Sequence, residues 1–394
     1  MKVWKKVAIV TAIIVVLVVV CLGILMGASR HYRLVMDYGD GEIEYVINRS
    51  YWAHLMCRMR YNGSIEREMV KRASGGDYAE ALLDMSGDFE SVISDMRTHQ
   101  RSRIDSTVDF DDKAQEHFKY NVGSSGLRLT NDSFLHVARA VDSGNVARNI
   151  YEVDEAESLE DMQSRTRLIS SFTTEYKTSG ASRRNNIKVA TEYISGSVVL
   201  PNAQFSFNNV VGERTVERGF EEAKVIVNGE YVKGVGGGVC QVSTTLYNAW
   251  VLAGGGVIYA TSHSLPPHYV ALSRDAMVSS YNDMILVNNG QTPLYVCGIL
   301  GNDSVTFEIY GTKGDGYYDI ESEVIREVPS ETKYIGEVAE DDEWEEIVMS
   351  YGVPGFESRA YLVEYDEAGN EISRSLLRED KNKSEPKIIN RVKK

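Results

Sequence analysis

Three side chains in the middle of the sequence are of the types that a thiol enzyme uses. Cys240 follows a glycine-dense segment, and His263 and Asp275 come later in the same region. A thiolate is a nucleophile, an imidazole can transfer a proton, and a carboxylate can orient that imidazole. The order predicts a catalytic set of Cys240, His263 and Asp275, provided that the fold brings the three together. His268, in the same loop as His263, is predicted only to pack.

The segment around Cys240 predicts how the thiol is presented. Glycines at 234, 236, 237 and 238 indicate a turn whose backbone can take positive φ angles. From Val239 to Ala253, apolar residues recur at the three- and four-residue spacing of a helix, and the glycines at 254–256 end that pattern. Cys240 is therefore expected in the first helical turn, where free N–H groups and the helix dipole favour the thiolate.

The flanking sequence predicts the elements that carry the histidine and the aspartate. A short strand is expected at 257–261 before His263, and a second apolar run at 269–272 is expected to form a strand before Asp275. Further strands are expected at 284–287, 294–298 and 306–310. The predicted fold class is α+β, with an antiparallel sheet packed on the central helix that carries Cys240.

Several neighbouring side chains are candidates for binding. Gln241 or the N–H groups of the helix start are candidates for an oxyanion hole beside Cys240. Arg183 and Arg184 lie near the start of a predicted helix, where a cation opposes the dipole, so they are candidates for binding an envelope carboxylate or phosphate or for pairing with the acidic segment 153–167. The full set of predicted binding residues is Gly237, Gly238, Gln241, Ser243, Thr244, Arg183, Arg184, Asn208 and Arg214.

Other kinds of site fit the sequence poorly. The glycine cluster is not followed by the GK[ST] of a phosphate-binding loop and does not match a dinucleotide fingerprint. A single cysteine with unevenly spaced histidines is a poor zinc site. The sequence therefore predicts no metal and no cofactor, although the same residues also fit a tightly packed turn that has no chemistry.

A long series of segments resembles one protein family. The residues that carry the likeness lie between about 168 and 311: SFTTEYKTSGASRRNNIKVA (171–190), PNAQFSFNNVVGERTVERGFEEAKVI (201–226), GGGVCQVSTTLYNA (236–249), HS (263–264), RDAMVSSYNDM (274–284) and VNNGQTPLYV (287–296). They resemble the VanW family, bacterial envelope proteins first noticed in glycopeptide-resistance (vancomycin-resistance) gene clusters. The resemblance implies a protein that acts at the cell wall by binding peptidoglycan or its precursors.

A second likeness supports the alternative function. The order of a cysteine at a helix start, then a histidine, then an aspartate is similar to the core of transglutaminase-like thiol enzymes. It implies a peptidase, amidase or acyltransferase that acts on wall peptides. A third alternative is a structural module that displays the C-terminal ribbon.

The chain divides into four predicted parts. Residues 1–31 form a cytoplasmic stub and membrane anchor, and 32–161 form a mostly helical domain that is similar to the peptidoglycan-binding domain often found before the VanW core. The VanW-like core covers 168–312. Residues 317–394 are rich in Glu, Asp and Val and resemble the β-ribbon of the G-five domain, an adhesive or spacer element.

Composition and the N-terminus indicate where the protein works. The net charge of −15 argues against a nucleic-acid partner, which would require basic surface. Residues 7–28 carry no charge, and about 22 residues are long enough to cross a bilayer as an uncleaved helix, although a cleaved signal peptide is the alternative. Lysines precede this segment, so the bulk of the chain is expected outside the cytoplasm as a single-pass membrane protein. Cys57 and Cys297 are predicted to be small buried side chains.

Overall fold

The computed structural model describes residues 10–21, 29–37, 42–50, 64–73, 76–85, 89–143, 150–227, 230–336 and 343–393. Residues 10–21 are helical, whereas residues 7–9 and 22–28 of the predicted membrane span lie outside the described part. No helix in the described part of the chain has both the length and the apolar character to cross a membrane.

The secondary structure is mixed. The helices that follow residue 64 are α1 (Ile65–Arg72), α2 (Tyr78–Met85), α3 (Glu90–Thr98), α4 (Asn131–Ser143), α5 (Leu159–Ser164), α6 (Ala181–Ile194), α7 (Phe207–Val211) and α8 (Val239–Leu252). The strands are β1 (Ser29–Asp37), β2 (Glu42–Ser50), β3 (Thr107–Phe110), β4 (Phe118–Asn121), β5 (Gly126–Arg128), β6 (Glu152–Asp154), β7 (Arg167–Glu175), β8 (Val198–Val199), β9 (Gln204–Ser206), β10 (Glu222–Val227), β11 (Glu230–Val235), β12 (Gly256–Tyr259), β13 (Ile285–Val287), β14 (Leu294–Leu300), β15 (Ser304–Gly311), β16 (Gly316–Val328), β17 (Thr332–Ile335), β18 (Trp344–Val353), β19 (Gly355–Asp366), β20 (Glu371–Asn382) and β21 (Glu385–Lys393).

The chain forms two compact units. The first consists of residues 1–107 and 121–158, and the second of residues 108–120 and 159–394. In the first unit, helices α1 to α4 bury one apolar cluster that includes Met69, Leu82, Ile93 and Val137. Two small antiparallel pairs, β1 with β2 and β5 with β6, complete its described strands.

The second unit is built from antiparallel sheets. Its four-stranded sheet has the order β7-β15-β14-β8, and a three-stranded sheet has the order β12-β13-β9. Further along the chain, β16-β19-β20 form another antiparallel sheet, and β17-β21-β18 includes one parallel pair, β17 with β21. These observations confirm the α+β class and its predominantly antiparallel sheets.

Helix α8 lies at the centre of the second unit. Its apolar residues share one hydrophobic cluster with Val305 and Phe307 of β15, and with Ile320 of β16 and Ala360 of β19. The sequence predicts one buried face, but the structure buries both faces, including the polar residues Gln241, Ser243, Thr244, Thr245 and Asn248. A helix that is buried all round needs internal partners for its polar groups. Thr245 finds one, because its hydroxyl lies 2.7 Å from that of Thr174 on β7.

One local prediction is wrong. Residues 269–272 before Asp275 form turns and bends rather than a strand. Ala271 in this run is exposed and its three neighbours are half-buried, so the run does not enter a sheet.

Candidate active site

The glycine turn places Cys240 at the start of helix α8. Gly236 and Gly238 have φ angles of 91° and 111°, in the left-handed region where a Cβ is strained. A Cβ on Gly237 would lie 2.5 Å from the carbonyl oxygen of Lys224 on strand β10. The close approach of this strand therefore requires glycine at position 237. The predicted glycine turn that leads into the helix is confirmed for Gly236, Gly237 and Gly238, whereas Gly234 lies in strand β11.

Two of the first N–H groups of the helix bond back to the glycine turn that precedes it. The Val239 N–H donates to the carbonyl of Gly236 at 3.1 Å, and the Gln241 N–H donates to that of Gly238 at 3.0 Å. The N–H of Cys240 lies between them, in a turn whose N–H groups have no partner within the helix.

The structure brings Cys240, His263 and Asp275 together. His263 Nδ1 lies 2.6 Å from Asp275 Oδ2, and the backbone N–H of His263 donates to the same oxygen at 2.7 Å. On its other side the imidazole interacts with the Cys240 side chain. The thiol also contacts the backbone of Val278, with Sγ 3.2 Å from the carbonyl oxygen. The side chains of His263 and Asp275 are only 10% and 5% exposed, whereas Cys240 is partly open to solvent.

The electrostatics of the three groups favour a thiolate and an imidazolium. Burial alone raises the pKa of Cys240, but the hydrogen bond and charge of His263 outweigh it, so the pKa is lowered from its usual value. Burial lowers the pKa of His263, and the stronger effect of Asp275 and Cys240 raises that pKa to about 10. Asp275 is also desolvated, yet its bond to His263 and the charge of Arg378 hold its pKa below the usual range. Both shifts favour the ion pair of thiolate and imidazolium over the neutral pair, with the Asp275 carboxylate behind the imidazole.

Two residues of strand β20 donate hydrogen bonds to Asp275 and His263. Arg378 Nη2 donates to Asp275 Oδ1 at 3.0 Å, and its Nη1 donates to the Asp275 carbonyl at 2.6 Å. Asn382 Nδ2 donates to the carbonyl of His263 at 2.9 Å. Sequence reasoning missed both, because they lie about a hundred residues after Asp275 in a segment whose composition indicates a separate ribbon.

Tyr269 is a further neighbour that the sequence did not indicate. Burial, and then the negative charge of Cys240, raise the pKa of its phenol, and its side chain bonds to Thr244. His268, the adjacent residue, is exposed in a turn. His263 is thus the histidine that meets the thiol.

Three of the predicted binding residues are used inside the protein. Gln241 donates from Nε2 to Thr174 Oγ1 at 2.9 Å and to the Glu175 carbonyl at 3.0 Å, so its amide donors are not available to an oxyanion. Ser243 donates to the carbonyl of Ala276 at 2.6 Å, and Thr244 accepts from the Ala276 N–H at 3.0 Å. The bonds of Ser243 and Thr244 fix the segment next to Asp275, whereas those of Gln241 join the start of the helix to strand β7.

The predicted arginines have different environments. Arg183 donates from Nη2 to Gln241 Oε1 at 2.8 Å, which places it beside the helix start. Arg184 pairs with Asp303 at 2.5 Å and bonds to three carbonyls of nearby turns. Arg184 therefore pairs with Asp303 in the β14–β15 turn and not with the acidic segment 153–167. Its role is structural, because its bonds connect nearby turns.

Arg214 lies against the glycine turn. A Cβ on Gly236 would come within 3.0 Å of the Arg214 Cβ, and the Arg214 guanidinium bonds to Asn208 Oδ1 at 2.5 Å. Burial lowers the pKa of Arg214, and the charges of Cys240 and Asp283 oppose that effect. Among the described residues, no carboxylate lies within 4.0 Å of its nitrogens. Arg214 is thus a partly desolvated cation near the thiol.

No group of three or more His, Cys, Asp and Glu side chains is placed to hold a metal ion within the described ranges. At Cys240, the imidazole of His263 and the carboxylate of Asp275 are bonded to each other. What it can do chemically is generate a nucleophilic sulfur and deliver a proton next to it.

Comparison with known proteins agrees with the likeness seen in the sequence. Residues 182–310 match the family described as VanW like protein. The chain is also 40% identical over 149 residues to an uncharacterized protein of Bacillus subtilis (strain 168), YoaR, and this match covers 35% of the chain and 48% of that relative. The chain thus matches about half the length of this relative. The matched segment, residues 182–310, holds Cys240, His263 and Asp275, so the candidate active site lies in the part of the chain that is similar to the VanW family.

Proposed function

We propose that the second unit is a thiol-dependent acyl-transfer enzyme that acts on an amide or ester of a cell-wall peptide. One observation carries the proposal: the His263 imidazole lies between the Cys240 thiol and the Asp275 carboxylate. The distance from His263 Nδ1 to Asp275 Oδ2 is 2.6 Å. The lowered pKa of Cys240 supports it, because the thiolate is the reactive form. The VanW resemblance implies peptidoglycan or its precursors as the ligand, and the transglutaminase-like order of the three residues implies acyl transfer on the peptides of that wall.

The reaction has two balanced steps. The Cys240 thiolate attacks the carbonyl carbon, a C–S bond forms, the C–N or C–O bond breaks, and the His263 imidazolium gives its proton to the leaving amine or alcohol. In the second step His263 takes a proton from water or an acceptor amine, which attacks the thioester and releases the Cys240 sulfur. Asp275 keeps Nδ1 engaged throughout, so the other ring nitrogen faces the reacting atoms.

The negative oxygen of the tetrahedral intermediate needs donors. The N–H of Cys240 is the candidate, since the neighbouring N–H groups of Val239 and Gln241 bond to the glycine turn. Both the hydrogen bond from this N–H and the positive end of the dipole of helix α8 would stabilise the negative oxygen. The Gln241 side chain is excluded from this role by its bonds to Thr174 and Glu175.

Arg214 indicates the charge of the substrate. A guanidinium that is partly buried and has no carboxylate partner among the described residues is well suited to bind a carboxylate in two-point contact. Wall peptides carry free carboxylates, so we place one of them against Arg214, with Asn208 fixing the guanidinium. Replacing Arg214 with Gln is expected to raise KM for a peptide with a free carboxylate and to have little effect on its amidated analogue.

Binding of peptidoglycan by the first unit is a second candidate function. It is favoured by an open cavity of about 430 Å³ lined mainly by polar residues, among them Asp77, Arg97, Gln100, Thr130 and Asn131. Such a lining is suited to hydroxyl and amide groups of a glycan. Sedimentation of the full chain with purified peptidoglycan, compared with Arg97→Ala, tests it: equal sedimentation of both proteins would contradict a role for this cavity.

The location rests on the sequence. The uncharged segment 7–28 and the preceding lysines support a single membrane anchor with the bulk of the chain on the outer side. Protease treatment of intact cells tests it, because digestion of residues after 32 requires that they face outward.

The enzyme proposal is tested by trapping the acyl intermediate. The full chain is incubated with soluble wall peptides and then analysed by mass spectrometry for an acyl group on Cys240. We expect an adduct on wild type, a longer-lived adduct in His263→Gln at low yield, and none in Cys240→Ala. Absence of any adduct or product across a set of wall peptides, with Cys240 inert to alkylation, would leave wall binding as the function.

A further inference from the structure

Strand β20 reaches the candidate active site from outside the part of the chain that matches the family. Residues 182–310 contain the cysteine, the histidine and the aspartate, but Arg378 and Asn382 lie on β20. Arg378 bonds to Asp275 and Asn382 bonds to the backbone of His263. One strand therefore holds both members of the His263–Asp275 pair.

The bonds of Asp275 leave its carboxylate one orientation. Oδ2 takes the N–H and the Nδ1 of His263, at 2.7 and 2.6 Å, and Oδ1 takes Arg378 Nη2 at 3.0 Å. Rotation of the carboxylate would break bonds on both oxygens. A second arm of the same guanidinium bonds to the Asp275 carbonyl at 2.6 Å, so side chain and backbone are fixed together.

Arg378 is itself held in place. Its Nε donates to Asp380 Oδ2 at 2.7 Å, its guanidinium lies 5.9 Å from the centre of the Tyr247 ring on helix α8, and its side chain is 12% exposed. Such a planar fork can meet three acceptors at once, which a lysine ammonium of similar reach cannot do with the same geometry. The position therefore requires arginine for shape as well as charge.

We propose that Arg378 is a positioning residue of the thiol site and that strand β20 is an integral part of that site. Its effect on the rate rests on the proposed thiol chemistry, whereas its effect on the His263–Asp275 bond does not. A VanW-like segment that ended before β20 would keep its three reacting side chains and lose the group that orients the carboxylate.

The charge of Arg378 sets the direction of a pH effect. Asp275 has a lowered pKa, so its bond to His263 is complete above the ordinary pKa of an aspartate and is lost as pH falls through the lowered value. Without Arg378 that pKa rises, and the loss on acidification begins at a higher pH. Arg378→Lys keeps the positive charge that lowers the pKa of Asp275 but loses the planar guanidinium that meets three acceptors.

The test uses the full chain with two readouts. One is the rate of alkylation of Cys240 against pH, assigned by mass spectrometry; the other is the NMR signal of the His263 Nδ1 proton, assigned among seven ¹⁵N-labelled histidines with His263→Gln. The variants are Arg378→Gln and Arg378→Lys. Arg374→Gln is the matched control, because Arg374 lies on the same strand and pairs with exposed Glu371 and Glu321.

We expect Arg378→Gln to slow alkylation at neutral pH by about tenfold or more, since small misplacements of reacting groups are costly. Its acid loss of reactivity should move to higher pH, and the His263 proton signal should be lost. Arg378→Lys should restore the acid limit but not the rate, and Arg374→Gln should match wild type.

An Arg378→Gln protein with the wild-type pH profile and the wild-type proton signal overturns the proposal. If Arg378→Gln does not fold, as judged by circular dichroism, Arg378→Lys decides, and wild-type rate and signal in that variant overturn the requirement for the fork. An unreactive Cys240 in wild type would refute the thiol enzyme, and the proton signal would still decide the role of Arg378.

Discussion

The second unit contains two cysteines that lie beside histidines, and the pKa values of their thiols are shifted in opposite directions. Cys240 interacts with His263 and has a lowered pKa. Cys297 lies with Sγ 3.6 Å from His117 Nε2, yet burial, and then the charges of Glu308 and Asp112, raise its pKa to about 11. Proximity of a histidine therefore does not by itself lower the pKa of a cysteine.

Three differences explain the contrast. Cys240 is at the start of a helix and partly open to solvent, whereas Cys297 is inside strand β14 and 1% exposed. His263 has a carboxylate bonded to Nδ1, whereas the Nδ1 of His117 is 3.2 Å from the backbone carbonyl of Asp111. A carboxylate stabilises an imidazolium more than a neutral carbonyl does. Activation thus depends on the third group and on the surrounding charge.

The largest expected effect separates the two cysteines by function. Cys240→Ala is expected to reduce turnover of a wall peptide by about 10⁴-fold or more, as for loss of a nucleophile in other covalent enzymes. Cys297→Ala should keep turnover and cost about 1 kcal/mol of stability, because it removes one small buried group. Product formation and thermal melting of the two variants measure this. Equal loss of turnover in both variants would contradict the contrast.

The next prediction compares the two thiols in one sample. With iodoacetamide over a pH series, Cys240 is expected to react well below the ordinary cysteine pKa of about 8.5. Cys297 in the folded protein should resist until pH approaches about 11. Mass spectrometry assigns each site, and unfolding in urea, where both should react alike, is the control. Coincident profiles in the folded protein would show that the environments do not differ as described.

Replacing each histidine tests which contact matters. His263→Gln is expected to slow alkylation of Cys240 at neutral pH by roughly tenfold, because the thiolate loses its cation. His117→Gln should leave Cys297 as slow as before, since burial determines its state. The same alkylation assay serves both. A change of similar size at the two cysteines would mean that both histidines activate.

The two cysteines also show which features of the site can be predicted from the sequence. The glycines before Cys240, the helix after it and the order of His263 and Asp275 are local signals, and they predicted the helix start and the three groups that meet there. The α+β class followed from strand and turn patterns of the same kind. Cys297 was rightly interpreted as a small buried side chain, from its place in an apolar strand.

What the sequence could not predict depends on contacts across the fold. Arg378 and Asn382 reach the site from β20, and no spacing rule connects that strand to His263. Gln241 has the polarity of an oxyanion-hole donor, and only the position of Thr174 shows that its amide is already bonded. The apolar run 269–272 resembles a strand, but pairing partners decide whether such a run enters a sheet.

The smallest expected effect concerns the negative charge beside Cys297. Glu308 raises the pKa of Cys297, although burial is the larger cause, so Glu308→Gln should lower the alkylation midpoint from about 11 while leaving it above that of Cys240. Tyr310 donates a 2.6 Å hydrogen bond to Glu308 and can donate to the amide oxygen as well, which makes the change conservative. Arg359→Gln, on the exposed pair with Glu379, is a control for altered charge away from either thiol. If Glu308→Gln brought the midpoint of Cys297 down to that of Cys240, charge rather than burial and helix position would separate the two sites. If the midpoint did not move, burial and the charge of Asp112 would account for the raised pKa of Cys297, and the lowered pKa of Cys240 would depend on the helix start, His263 and Asp275.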